Sequence, residues 1–174
     1  MSLRPALSLM ARNNRYANAE LGAAVIRLGA AGFNAPGTSF FPSIGATLNH
    51  ILAIDLYYLD ALEEGGVGRA AYLDFAHFAD PAALVEAQQA ADMRLIAFCD
   101  RLTESDLART VPTDRGAPVP ERIDALLLHL MLHDVHHRGQ AHAMLAGTKV
   151  PPPQLDDFFL DHGRTEAARN ALAL

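Results

Sequence analysis

HLMLHDVHHRGQAHAML, residues 129–145, carries five of the chain's eight histidines. A helix advances about 100° per residue, so positions three and four apart share a face. On that geometry His129, His133, His136 and Gln140 form a narrow stripe, His137 lies on its edge and His142 points elsewhere. His133 and His137 make an HxxxH pair, the i,i+4 spacing that lets two imidazoles close on one metal ion. His129 and His133 have the same spacing, so the residues alone leave the choice of pair open. Packed imidazoles without a metal are the competing reading. Several imidazoles this close are costly to bury unless something binds them.

Outward from this stretch, the helix is expected to begin at Pro120 or Glu121 and to run to Ala146, with Gly147 as its C′ residue. It is apolar around most of its circumference, which places it centrally or under another chain. Upstream, Leu21, Val25 and Leu28 recur at helical spacing within Pro5 to Ala31, and the stretch from Gly32 to Gly37 stops that helix. Ser43 reads as the N-cap of a second helix, which ends at Glu63 to Gly66. Gly65 to Asp80 reads as a connection with one helical turn around Phe75. Asp80 and Pro81 open a third helix, to about Leu102. Thr103 to Pro120 reads as a loop in which VPTD is extended. After the prolines 151–153, Leu155 to Leu160 suggests a short final helix, with a frayed tail from Asp161. The expected fold is all-α, a four-helix bundle forming a single domain over 1–174.

The composition narrows the function. A net charge of −6 and a single lysine, Lys149, leave no basic patch for phosphates, which argues against nucleic acid. No apolar run reaches the roughly 20 residues that span a bilayer, and no signal-peptide pattern is seen. Cys99 is the sole cysteine and reads as a buried, inert thiol, which suits a cytoplasmic protein.

Two histidines hold a metal poorly, and a catalytic site usually has three with an open fourth position. His50 is the best third ligand, being the histidine of the second helix; His77 lies in a connection and His162 in the tail. NHILAIDLYYLDAL, 49–62, followed by HLMLHDVHHRGQAHAML and GTKVPPPQLDDFFL, resembles the DinB/YfiT-like family of metal-dependent enzymes. The resemblance extends to the RNNRYANAEL opening from Arg12. It implies the four-helix bundle and a divalent metal held by His50, His133 and His137. His129 and His136 would then be neighbours of the ligands. Neutral imidazole suits Zn, Ni, Fe and Cu alike, so the metal is not read from the ligands; Zn, Ni or Fe is the expectation. Proton competition predicts metal loss as pH falls through about 6 to 5.

Such a centre activates a bound water or thiol. The function expected is that of a hydrolase or low-molecular-weight-thiol transferase acting on a small molecule, in stress or detoxification. The alternative is a non-catalytic metal-binding stress protein. Asp55 and Gln140 are the candidates to face the core and hold a ligand's second nitrogen. Asp134 reads as a solvent-facing or inter-helix contact, Arg138 as a structural ion pair, and Tyr57 and Tyr58 as core packing. The greasy outer faces of the last long helix suggest a homodimer.

Overall fold

The structure, a computed structural model, describes residues 3–156, 158–161, 166, 169, 170 and 173. It is mostly helical. Helix α1 spans Arg4–Asn34, α2 Ile44–Leu62, α3 Ala70–Leu73 and α4 Pro81–Arg101. Strands β1, Thr110–Asp114, and β2, Pro118–Arg122, precede α5, Ile123–Ala146, and α6, Phe158–Asp161. α1 packs chiefly on α4 and α2 chiefly on α5, with further contacts between α2 and α4 and between α1 and α5.

Helix starts follow the caps. Ser43 accepts a bond from the Ala46 amide at 3.0 Å, and Asp80 from the Ala82 amide at 3.2 Å, with Pro81 in the first turn. α1 runs three residues beyond the expected Ala31, but it is broken at Gly29, whose φ of 77° and ψ of 165° are not helical. Only glycine adopts that backbone without strain. The helical turn expected around Phe75 falls earlier, as α3.

The loop expected between Thr103 and Pro120 is instead a two-stranded antiparallel hairpin, with Val111 opposite Glu121 and Thr113 opposite Val119. VPTD is extended as expected, but its partner strand was not foreseen. Gly116, at φ 98°, makes the turn. Strand pairing holds residues 118–122, so α5 starts at Ile123 rather than at Pro120 or Glu121. The Tyr57 hydroxyl donates to the Asp114 carbonyl at 2.7 Å, which seats the hairpin on α2. Gly147 follows α5 with φ −82°, an ordinary right-handed value rather than a left-handed cap.

The core is built from one face of each long helix. Leu21 and Val25 of α1, Leu52 and Leu59 of α2, Leu95 and Ile96 of α4, and Leu127 and Leu130 of α5 are all buried. Cys99 is fully buried, and desolvation pushes its thiol up to about 12, so it is inert as expected. Phe158 of α6 packs on Leu9 and Tyr16. The tail expected to fray from Asp161 lies, apart from isolated positions, outside the described residues.

Candidate metal centre

α2 and α5 pack side by side, and their histidines meet. His50 comes from the middle of α2; His133 and His137 come from successive turns of α5. One nitrogen from each ring lies within 4.8 Å of the other two. The Nε2 atoms of His50 and His133 face each other at 3.1 Å. Two nitrogens bound at about 2.0–2.1 Å to one tetrahedral ion stand roughly 3.4 Å apart, so this spacing fits a shared cation. Two facing lone pairs repel unless a proton or a cation lies between them. The His137 ring is 4.7 Å from that of His50 and 4.6 Å from that of His133, centroid to centroid.

The rings are oriented from behind. Gln140 Oε1 lies 3.1 Å from His137 Nδ1, and Asp134 Oδ1 lies 3.4 Å from His133 Nδ1. An acceptor at Nδ1 selects the tautomer whose proton is there and leaves Nε2 free as a ligand. Burial, and then the neighbouring His133 and His137, lowers His50 to about 4, and burial also lowers His137. The neutral forms that bind metal are therefore favoured. Phe41 covers this face, its ring 4.4 Å from His50 and 5.5 Å from His137.

The inner face of α5 is not the histidine stripe. Leu127, Leu130, Asp134, Arg138, Ala141 and Leu145 are buried, and the histidines lie on the flank. Asp134, expected toward solvent or a neighbouring helix, is fully buried and makes the inter-helix contact, accepting from Asn14 Nδ2 of α1 at 2.7 Å. Arg138, read as an ion pair, donates instead to Asn14 Oδ1 at 2.6 Å and Asn18 Oδ1 at 2.7 Å. Asp134, Asp92 and Asp55 influence it electrostatically, and burial is the largest effect, lowering its pKa.

Asp55 belongs to this buried polar layer rather than to the ligands. Its Oδ2 accepts from Gln88 Nε2 of α4 at 2.6 Å. Among the described residues, Asp55 Oδ1 and Asp92 Oδ2 have no hydrogen-bond partner. Burial is the main reason that Asp92 is pushed up to about 7 and Asp55 well above the carboxylate range; a proton on the carboxyl removes the charge that would otherwise be stranded. Sequence reasoning missed Asn14, Asn18, Gln88 and Asp92. The signal in α5 was that Asp134 and Arg138 continue the three-and-four spacing of Leu127, Leu130, Ala141 and Leu145, which marks a buried polar layer but not its partners on other helices.

The other imidazoles do not join the cluster among the described residues. His129 stacks edge-on against Tyr58, and His136 contacts Gln140 Nε2 at 2.9 Å. His142 reaches the Pro153 carbonyl at 2.8 Å and ties the proline segment to α5. His77 packs against Phe75 in the connection after α3. Tyr58 and Tyr57 are buried, as expected for packing.

Comparison with solved structures gives several similar chains, among them two DinB-like proteins. A DinB-like protein from Bacillus cereus is 16% identical, with a TM-score of 0.62, covering 80% of this chain and 90% of that one. A DinB-like protein from Bacillus subtilis, YjoA, is 16% identical with a TM-score of 0.60, covering 82% and 96%. At that identity the likeness is one of fold. No curated protein matches the chain. The DinB family model matches residues 2–167, nearly the whole sequence, and the chain belongs to the DinB family.

Proposed function

We propose that this protein is a metal-dependent enzyme whose divalent ion is held by His50, His133 and His137. The observation that supports this is the approach of three imidazole nitrogens from two helices to within 4.8 Å of one another. The four long helices act as a bundle that fixes the separation of α2 and α5. When bound, a Zn, Ni or Fe ion supplies Lewis acidity that lowers the pKa of a water or thiol ligand. The chain does the rest. Gln140 and Asp134 keep the Nδ1 protons in place, so that Nε2 faces inward. Phe41 shields one side of the cluster from water.

His129 and His136 stay out of the cluster, which leaves a position for an exchangeable ligand and favours catalysis over a closed storage site. The reactions that suit such a centre are hydrolysis of a small ester or amide and transfer of a low-molecular-weight thiol. The protein works as a homodimer through the outer face of α5, where Leu128, Leu132 and Val135 are 45%, 69% and 51% exposed. No helix among the described residues is long and apolar enough to cross a membrane.

Metal analysis of the purified protein tests the reading directly. About one divalent ion per chain is expected, with each of His50→Ala, His133→Ala and His137→Ala sharply depleted, followed by turnover in an esterase and thiol-transferase panel. Equal metal content in all four proteins refutes the site. A metal-loaded protein inactive across the panel favours the stress-protein alternative.

A further inference from the structure

A cavity of about 290 Å³ opens beside His50. Its floor is one stripe of α2: Ala46, His50 and Ala53, spaced four and three residues apart. The two alanines leave the imidazole standing between hollows. Phe41 forms one wall, and Tyr72, Leu73 and Phe75 form the other. The second wall is fixed in place, because Asn49 accepts from the Phe78 amide at 2.7 Å and donates to the Phe78 carbonyl at 2.9 Å.

Tyr72 and Leu73 are 45% and 60% exposed, so the fold gains little from them. Their apolar surface is turned toward the hollow. Among the described residues that line it, none is Asp, Glu, Lys or Arg, and its ionisable groups are His50, His77 and the phenol of Tyr72. Away from the histidine end, a carboxylate or ammonium entering here loses hydration and meets no fixed counter-charge. An uncharged ring or branched chain gains burial instead. The volume suits a single ring, at the small end of ligand sites.

We propose that this hollow is the substrate's apolar subsite, taking an uncharged aromatic or branched aliphatic group whose polar end reaches the three histidines. The second half of that statement rests on the metal centre proposed above; the first does not. It also makes a highly charged thiol a poor occupant of this hollow.

Two arms test it. Metal-free protein is titrated with benzyl alcohol and followed by NMR. Metal-loaded protein is titrated calorimetrically with acetohydroxamate, benzohydroxamate and 4-carboxybenzohydroxamate. Saturable binding of benzyl alcohol is expected, weakened at least fivefold by Ala46→Leu, which fills the floor, and by Leu73→Asp, which puts a charge on an exposed wall. Benzohydroxamate should bind at least tenfold tighter than acetohydroxamate, and the 4-carboxy group should abolish the gain. In both variants the ratio should fall toward one while metal content and acetohydroxamate affinity stay unchanged. Benzyl alcohol that does not saturate, or equal affinities for the first two hydroxamates, overturns the subsite. If no metal loads, the catalytic reading fails while the benzyl alcohol arm still decides the hollow.

Discussion

Asp134→Asn replaces one carboxylate oxygen by an amide nitrogen with almost no change in volume. Asp134 is fully buried between His133 and Asn14. Its carboxylate accepts from Asn14 on one oxygen and faces His133 Nδ1 on the other. An asparagine can keep the Asn14 bond only by presenting its own N–H to His133. That N–H needs an acceptor, so the ring is driven to the tautomer protonated at Nε2, the atom that faces His50. A hydrogen bond to a charged group contributes about 1.5–3 kcal/mol at full strength. The separation of 3.4 Å is longer than the best geometry, so the low end applies. About 1.4 kcal/mol corresponds to a tenfold loss of metal affinity. Competition with a chromophoric chelator at pH 7.5 measures it, with thermal melting of the metal-free protein as the control for folding. Unchanged affinity in a folded variant would refute the assignment of Asp134 as the group that orients His133.

Other outcomes follow from the same geometry. His50 is neutral in the native protein down to about pH 4, below the range of an unfolded histidine, so the native state binds fewer protons in that window. The contribution of His50 to native stability should fall as pH drops from about 6.5 toward 4, read as the difference in melting temperature between the native protein and His50→Gln at each pH, and metal should persist at pH 6 and be released toward pH 4; complete release by pH 6 contradicts this. Asp92 has the opposite sign: its folded pKa of about 7 lies above its unfolded one, so its contribution is full at low pH and is lost as pH rises through 7. Asp92→Asn should therefore raise the melting temperature more at pH 8 than at pH 5, and equal shifts would show that Asp92 is already charged. Gly29→Ala should destabilise by about 1–2 kcal/mol, because its φ of 77° strains any residue with a Cβ, and a melt unchanged within error would show that the break in α1 relaxes. Leu132→Glu, at a position 69% exposed, should leave monomer stability within about 0.5 kcal/mol yet shift a dimer to monomer on a sizing column.

Much of the scaffold was legible because its signals are local. Ser43, Asp80 and Pro81 act within one helical turn, and their chemistry is the same in any fold. The meeting of His50 with His133 and His137 followed from i,i+4 spacing on one helix and a histidine in the middle of another, once the family resemblance chose among the pairs. The rotation of α5 is less legible, because a helix apolar around most of its circumference does not announce that Asp134 and Arg138 face inward and the histidines lie on the flank. Burial of Asp134 and Arg138 depends on Asn14 and Asn18, which lie more than a hundred residues away in the chain. No local pattern reports such a partner. The hairpin was missed for a similar reason: Pro112, Pro118 and Pro120 read as breakers, yet a two-stranded ribbon leaves each strand with an open edge where a missing N–H is tolerated.

β2 ends at Arg122 and α5 begins at the next residue, with no spacer between them. The ladder on one side and the bonds from the Ile123 and Asp124 amides to the Arg109 and Leu107 carbonyls on the other act as a clutch on the helix axis. One residue inserted at that junction would turn everything downstream by about 100° and swing His133 and His137 away from His50. The same insertion at the tip of the ribbon, between Asp114 and Pro118, would be absorbed without any turn of the helix. The angular setting of the metal-binding face is thus held by the small sheet, some ten residues before the first ligand it serves.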